Sequence, residues 1–327
     1  MKAKKYLILL ISISTLLTSC EYDIDYKGEL PEDKLVLTTF VEADSVLSFI
    51  VHSSAKPGSY ESYDGFKNGN KYIDFENKII NDANIDLYVN GALRETLTKT
   101  DNNSRYTFAT IPKHNDKIEL KIKHKNFDEA TGRANLSLTK PQLDSLGVFV
   151  QKGEDEYGNK LYRFVVYIEI RDNGGDNYYQ ITPNFISGYS SDTNNVSEIN
   201  YIGGAEVLYE NIQGVFIENP SSIQEGDNRF GVISNKKFKG GVYKLKLSFR
   251  LTYFDFNNDS SPKFLKGRFD VSSIEKQAYD YLFTLNRYNP GSFMSEPVII
   301  IDAIENGYGF VGGKNTLRGN NININFQ

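Results

Sequence analysis

Residues 242–253 read VYKLKLSFRLTY, a strict alternation of apolar and polar side chains. Successive side chains of an extended chain point to opposite faces, so this pattern predicts a long β-strand with one buried face and one solvated face. The buried face would carry Tyr243, Leu245, Leu247, Phe249, Leu251 and Tyr253. The same period of two dominates the chain, which therefore is expected to be mostly β.

Shorter segments repeat this pattern. Residues 117–123 alternate charged side chains with isoleucine and leucine, and residues 164–170 carry another apolar row. Two such runs, 85–89 and 92–97, flank Asn90-Gly91, a dipeptide that accepts positive φ at both positions. This spacing predicts a β-hairpin closed by a type I′ turn.

The end of the chain shows two further strand patterns. The apolar run 297–301 predicts a closing strand. The asparagine-rich residues 320–325 still alternate with isoleucine, which predicts a terminal edge strand.

The strands are expected in two domains that divide near Pro141. Residues 35–140 hold roughly seven short strands separated by turn signals, which predicts an immunoglobulin-like or transthyretin-like β-sandwich. Residues 141–327 predict a larger β-rich domain with one amphipathic helix near 273–287. The Ser272-Ser273-Ile274-Glu275 segment has the spacing of a capping box at the start of that helix.

The N-terminus has the layout of a bacterial lipoprotein signal. A lysine-rich start and the apolar run 6–17 precede Cys20, which is the single cysteine of the chain. We expect residues 1–19 to be a signal peptide, cut before Cys20, whose thiol then carries a diacylglycerol. One alternative is a transmembrane helix, but such a helix needs about 20 apolar residues and the run 6–17 is shorter. The other alternative is an ordinary secretory signal.

The segment after Cys20 is an acidic tether, residues 20–34, in which Glu21, Asp23 and Asp25 alternate with apolar residues. It is similar to the export signal that sends Bacteroidota lipoproteins to the cell surface. The alternative is a solvated linker without such a signal. The sequence therefore predicts an outer-membrane, lipid-anchored protein, with the cell surface and the periplasmic face both open.

Composition excludes several function classes. Apolar residues make up 39% and aromatic residues 13%, which supports a packed core. The net charge is −5 with both signs mixed, and no basic patch is interleaved with aromatic residues, so nucleic acid is not an expected partner. A Gly-x-Ser-x-Gly elbow is missing, and no catalytic residue is predicted.

Two aspartate-rich turns are candidate metal sites. Asp172 and Asp176 lie in the segment DNGGDN, whose oxygen atoms suit calcium but whose residues also favour a tight turn. Asp255 and Asp259 match the first half of an EF-hand loop, yet Ser260 and Lys266 stand where that loop requires glycine and glutamate. Calcium remains an alternative, and apart from the acyl group no cofactor is predicted.

Aromatic residues in two predicted loops are candidate ligand contacts. Tyr60 and Tyr63 lie in the predicted loop 53–71, and Tyr189 and Tyr201 lie in the predicted loop 187–204. Such side chains suit a glycan-binding or peptide-binding face. The alternative is that they fold back to cover the ends of the sandwich.

Several motifs are shared with one family. They are Ser19-Cys20-Glu21, Leu35-Val36-Leu37, Asn84–Leu87 with the Asn90-Gly91 turn, Arg105–Phe108, Arg171–Tyr179, the helix Ser273–Leu285, and Ile304–Gly313, which resembles that family's Asn-Gly-x-Gly-x-Phe ending. Together they resemble the Bacteroidota lipoproteins grouped as domain of unknown function 4249. The resemblance implies a non-enzymatic accessory or binding protein beside a TonB-dependent outer-membrane receptor in nutrient uptake. A structural or adhesin-like envelope component and a carbohydrate-active enzyme are the alternatives.

Overall fold

The computed structural model describes residues 32–54, 79–154, 160–188, 196–198, 203–208, 231–237, 240–251, 264–287 and 299–325. The predicted mostly β fold is confirmed: strands dominate, and the described residues include one α-helix, α1. The predicted lipidation site, the signal peptide and most of the tether lie outside the described residues. No helix in the described ranges is long and apolar enough to cross a membrane.

The strands and the helix follow one another along the chain with these bounds: β1 Leu35–Glu42, β2 Ser48–Phe49, β3 His52–Ser53, β4 Asn84–Val89, β5 Ala92–Leu97, β6 Tyr106–Thr107, β7 Lys117–His124, β8 Phe127–Asn135, β9 Gln142–Glu154, β10 Lys160–Arg171, β11 Tyr178–Gly188, β12 Val196–Glu198, β13 Gly203–Leu208, β14 Val232–Ser234, β15 Val242–Leu251, β16 Phe264–Ile274, α1 Lys276–Arg287, β17 Ile304–Glu305, β18 Gly307–Leu317 and β19 Ile322–Asn325.

These strands form four sheets. The large sheet has the order β12-β11-β16-β18-β1-β3, with β14 paired to β11 and β19 paired to β16. A five-stranded sheet has the order β17-β8-β7-β4-β5, and a four-stranded sheet has the order β13-β15-β10-β9. The pair β2-β6 completes the set.

The main core lies between β1 and β18 of the large sheet and the inner face of the five-stranded sheet. It buries, among others, Leu35, Leu37, Ile85, Leu87, Tyr106, Phe108, Ile118, Leu120, Ile122 and Val311. Strand β7 contributes alternate residues to this core and turns its lysines outward, as its period predicts. The arrangement fits the predicted sandwich of immunoglobulin or transthyretin type.

Strands from the end of the chain pair with strands from its beginning. Strand β18 runs parallel to β1, with Leu35 opposite Gly307, and β17 pairs with β8. Residues on both sides of Pro141 therefore share one core. The domain boundary there stays a prediction.

The predicted hairpin is confirmed. Strands β4 and β5 pair in antiparallel fashion around Asn90 and Gly91, whose φ angles are 54° and 81°. Positive φ at both central residues is the signature of a type I′ turn. The predicted terminal strand is also found, because β19 pairs with the outer half of β16.

The predicted helix is found, but its predicted cap is wrong. Helix α1 begins at Lys276, and Ser272 lies within β16, where its hydroxyl bonds Thr316 Oγ1 at 3.1 Å. Sheet pairing of β16 with β18 extends to Ile274, so Ser272 cannot reach an amide of the helix. The Glu275 carboxylate instead accepts hydrogen bonds from the backbone N–H groups of Asn135 and Gly313, and burial raises the pKa of this carboxyl.

The predicted closing strand at 297–301 is wrong over its described part. Residues 299–303 form no strand, and the last long strand is β18. The glycines of β18 allow it to lie against β1 and beneath α1, where bulkier residues would not fit. The apolar content of residues 297–301 alone could not show that β18 takes the place of the predicted closing strand.

Helix α1 packs on the outer face of the large sheet. Ala278, Tyr279 and Leu282 join Phe310 of β18 and Tyr178 of β11 in a second apolar cluster. The Tyr178 and Tyr279 ring centroids lie 4.8 Å apart. The helix therefore covers one end of this face of the large sheet. Beyond the helix, other side chains occupy the face.

Candidate functional site

A continuous row of polar side chains occupies the large sheet beyond helix α1. We call this surface the polar face; its members are Glu42, Gln180, Thr182, Asn184, Arg268, Asp270, Ser272, Lys314 and Thr316. It extends over four neighbouring strands, β11, β16, β18 and β1. A sheet face of this width carrying both charges and neutral hydrogen-bonding groups is a candidate binding surface.

The strand register places these side chains together. Gln180, Thr182 and Asn184 lie opposite Ser272, Asp270 and Arg268, respectively, in the β11–β16 pair. Residues directly opposite each other in an antiparallel pair share one face of the sheet. The intervening Phe269 and Val271 are fully buried on the other face, which fixes the orientation of β16.

The same register extends the polar face to the far strands. Ser272 lies opposite Thr316, and Lys314 of β18 lies opposite Glu42 of β1. The Glu42 carboxylate accepts a 2.8 Å hydrogen bond from the Thr316 backbone N–H. These contacts hold the side of the polar face formed by β18 and β1.

Asp270 is the fixed anionic centre of the polar face. Its carboxylate accepts hydrogen bonds from Arg268 Nε at 2.8 Å, Asn184 Nδ2 at 2.9 Å and the Gly319 backbone N–H at 3.1 Å. The residue is buried. Because both oxygens already accept donors from the protein, Asp270 orients its neighbours and is poorly placed to donate or abstract a proton.

Lys314 has unused hydrogen-bonding capacity on the polar face. Its ammonium donates a long 3.4 Å hydrogen bond to Gln180 Oε1 and lies 5.1 Å from the centroid of the Phe40 ring. Burial lowers the pKa of Lys314, while the charges of Glu42 and Asp270 act in the opposite direction. An ammonium has three N–H donors, so within the described structure Lys314 retains donors for an incoming oxygen atom.

Thr182 adds a second unused polar atom. Its Oγ1 is buried and has no hydrogen-bond partner. A buried hydroxyl without a partner costs free energy, roughly 1–3 kcal/mol, and such groups are uncommon in folded proteins. Thr182 and Lys314 therefore both lie on the polar face with hydrogen-bonding capacity that the described residues do not use.

The Asp172 turn, predicted as either a calcium site or a tight turn, is a closed hydrogen-bond network. Asp172 is buried, and its two carboxylate oxygens accept five hydrogen bonds of 2.7 to 3.2 Å. The donors are the backbone N–H groups of Gly174 and Gly240, the amides of Asn177 and Asn235, and the Tyr179 hydroxyl. Because N–H and O–H groups point at both oxygens, the geometry favours the turn over a cation.

Of the predicted metal-binding and ligand-binding residues, the structure describes Asp172 and Asp176. Asp176 is exposed in the same turn as Asp172. The other candidates, Cys20, Tyr60, Tyr63, Tyr189, Tyr201, Asp255 and Asp259, lie outside the described residues. Across the ranges that the structure does describe, no group of three or more His, Cys, Asp or Glu side chains could hold a metal ion.

A groove lies where α1 begins. This groove of about 360 Å³ is lined by residues of the five-stranded sheet, including Lys117 and Glu119, and by Glu275 and Gln277. Gln277 Nε2 donates to the backbone carbonyls of Arg133 and Val311 at 2.5 and 2.7 Å. Glu275 and Gln277 thus join the helix to the sandwich, so this groove ranks below the polar face as a ligand site.

Comparison with known proteins identifies the family of the chain. The model of the family described as domain of unknown function, DUF4249, matches residues 18–319, so the chain belongs to that family. No curated protein matches its sequence.

Two solved structures show a weak likeness. A β-glucuronidase from glycoside hydrolase family 2 is 13% identical over 89% of this chain and 20% of its own, with a TM-score of 0.22. The BSP domain of a biofilm associated protein is 10% identical over 92% of this chain and 61% of its own, also with a TM-score of 0.22. At these TM-scores, neither structure supports an assignment of fold or function.

Proposed function

We propose that the protein is a lipid-anchored binding protein of the outer membrane that holds a glycan on its polar face and works beside a TonB-dependent transporter in nutrient uptake. The observation that carries the ligand-binding part is Lys314 Nζ, an ammonium on the polar face that makes one long hydrogen bond and keeps further donors for a ligand. The anchoring part rests on Cys20 and its preceding apolar run.

The polar face favours binding over catalysis. Asp270, the buried acid of this surface, is held by three donors. General acid–base chemistry needs a carboxyl group that can exchange a proton with the substrate. The polar face instead offers fixed donors and acceptors, which is what recognition of a hydroxyl-rich ligand requires.

A glycan suits this surface because its hydroxyl groups both donate and accept. Gln180, Asn184 and Thr316 supply neutral amide and hydroxyl groups, and Lys314 supplies a cationic donor. Hydrogen bonds to a charged group contribute about 1.5–3 kcal/mol, more than neutral ones. Lys314 should therefore be the dominant contact, with a preference for sugars that carry acceptor-rich or acidic substituents.

Replacing Lys314 with glutamine is expected to weaken glycan binding by about tenfold to a hundredfold, because it removes a charge-assisted hydrogen bond. The measurement is binding of the purified full-length protein to arrays of neutral and acidic oligosaccharides and of peptides, followed by titration of the best ligand. Lys117→Gln is the matched control, since Lys117 lines the other groove.

Three outcomes would contradict this assignment. Equal affinity of wild type and Lys314→Gln would exclude the polar face as the binding site. Loss of binding in Lys117→Gln alone would place the ligand in the other groove. Binding to peptides and to no oligosaccharide would replace the glycan with a peptide ligand.

Replacing Cys20 with alanine is expected to remove the acyl group and to deplete the protein from the outer-membrane fraction. Without confinement to the membrane plane, the effective concentration beside a β-barrel partner falls. The measurement is metabolic labelling with a palmitate analogue, membrane fractionation, and a mild-detergent pull-down analysed by mass spectrometry. Wild type should recover a TonB-dependent transporter, and Cys20→Ala should not.

Ser19→Ala is the matched control, because it changes a small residue beside the cut site and keeps the thiol. Tight outer-membrane association of unlabelled Cys20→Ala would refute the lipid anchor. An acylated wild-type protein recovered without any barrel partner would instead favour a structural or adhesin-like role.

A further inference from the structure

Two isoleucines stand out on the surface between α1 and β17. Ile299 is 84% exposed and Ile301 is 48% exposed. Both lie in a segment without regular secondary structure, residues 299–303. Exposed large apolar side chains that are grouped on a surface mark contact with a partner or a lipid surface more often than scattered ones do.

The backbone of this segment is held in place. The Ile301 N–H donates to Thr284 Oγ1 of α1 at 3.1 Å, and the Ala303 N–H donates to the Gly309 carbonyl at 2.8 Å. Asp302 Oδ1 accepts a 2.7 Å hydrogen bond from the Gly309 N–H. The isoleucines are therefore presented from the end of the large sheet at which β1 and β18 begin.

The chain from Cys20 enters the fold at this same end. Lys34 directly precedes β1, and its ammonium lies 5.4 Å from the ring centroid of Tyr308 in β18. The charge of Lys34 also acts on Asp302, whose pKa is raised by burial despite that charge and the Gly309 hydrogen bond. Lys34 and Tyr308 thus lie where the tether joins the sandwich, and the hydrogen bonds of Asp302 and Ala303 to Gly309 hold the isoleucine segment at the same end of β18. We call Lys34, Ile299, Ile301 and Tyr308 the anchor-proximal patch.

We propose that the anchor-proximal patch rests on the membrane, with Ile299 and Ile301 inserted at the level of the lipid headgroups. Isoleucine supplies apolar area, tyrosine prefers the interface, and lysine can extend its ammonium toward phosphate groups while its stem stays apolar. The inference rests on the proposed lipid anchor at Cys20. The chain between Cys20 and Glu32 spans at most about 40 Å when fully extended, so an acylated Cys20 keeps this end of the fold near the bilayer.

The absence of tryptophan from the sequence makes a direct test possible. The acylated full-length protein with Ile299→Trp is reconstituted into phosphatidylethanolamine and phosphatidylglycerol vesicles, with and without brominated lipid. We expect the tryptophan fluorescence of the vesicle-bound protein to have its emission maximum at a shorter wavelength than that of the same protein in detergent-free buffer. We also expect the brominated lipid chains to quench this fluorescence strongly. Val46→Trp is the matched control: Val46 is 60% exposed beyond the other end of β1, about 25 Å away along the strand.

The outcomes separate this inference from the anchor on which it rests. Protein that does not float with the vesicles refutes both. Protein that floats while its Ile299→Trp and Val46→Trp forms are quenched equally refutes the inference and leaves the anchor standing. A shift of Ile299→Trp emission that grows with protein density and is insensitive to brominated lipid assigns the patch to a second copy of the chain, which also refutes it.

Discussion

Replacing Asp172 with alanine is expected to lower the free energy of unfolding by about 3–5 kcal/mol, because it removes several hydrogen bonds to a charged group, each of which contributes about 1.5–3 kcal/mol. Five donors converge on this carboxylate, including Asn177 Nδ2 at 2.7 Å and Asn235 Nδ2 at 2.8 Å. Without the carboxylate, the buried Tyr179 hydroxyl and the buried Asn235 amide lose this acceptor, and a buried donor left without its acceptor costs free energy. The measurement is urea unfolding of both proteins at neutral pH.

The control is Asp176→Ala in the same turn. Asp176 is exposed, so its removal should change the free energy of unfolding by less than about 1 kcal/mol. If Asp172→Ala were as stable as this control, the turn would tolerate the loss of its central acceptor. The network would then not organise the β10–β11 connection.

The same residue makes part of the stability depend on pH. Burial raises the pKa of Asp172. Hydrogen bonds from the Gly240 N–H and from the Asn177 and Asn235 amides lower the pKa by more than burial raises it, so the pKa of Asp172 lies below its ordinary value. A depressed pKa in the folded state stabilises the protein fully above the unfolded pKa of about 3.9. That contribution is lost as the pH falls through the folded pKa, so the gap between wild type and Asp172→Asn should shrink in acid.

Local patterns in the sequence predicted the elements that depend on local physics. The period-two alternation of β7 and the Asn90-Gly91 turn involve residues close in the chain, and both are present. The capping box at Ser272 was wrong because the distant strand β18 pairs with β16 there. A local signal failed where a long-range hydrogen-bond ladder competed with it.

The polar face and the Asp172 network show what the sequence alone could not reveal. The alternation of Arg268, Asp270 and Ser272 with Phe269 and Val271 can be read along β16. The strands that complete the polar face beside β16 cannot be read from the sequence, because β18 follows only after the helix and β1 lies near the start of the chain. Likewise, Asn235 bonds Asp172 across 63 residues, a separation that no motif around Asp172 encodes.

Replacing Gly309 with alanine is expected to lower the free energy of unfolding by at least about 3 kcal/mol, through backbone strain and steric overlap together. Gly309 has a φ of +101°, and a Cβ atom there would lie 2.1 Å from the Leu37 carbonyl oxygen of β1. That oxygen belongs to the parallel ladder that closes the sandwich, so it cannot withdraw without separating β1 from β18. This glycine lies in the segment Asn306-Gly307-Tyr308-Gly309-Phe310, which ends at the buried Phe310.

Gly91→Ala separates the two causes, because Gly91 has a similar φ of +81° but open space around its position. Gly91→Ala should lower the free energy of unfolding by about 1–2 kcal/mol, which is the strain of a left-handed backbone alone. Thermal and urea unfolding of both variants would measure the difference. Equal losses would mean that β18 moves away from β1 at little cost, and the parallel pair would then not be the element that closes the fold. A larger loss at Gly309 would show that this glycine is required because the two strands approach too closely for any side chain.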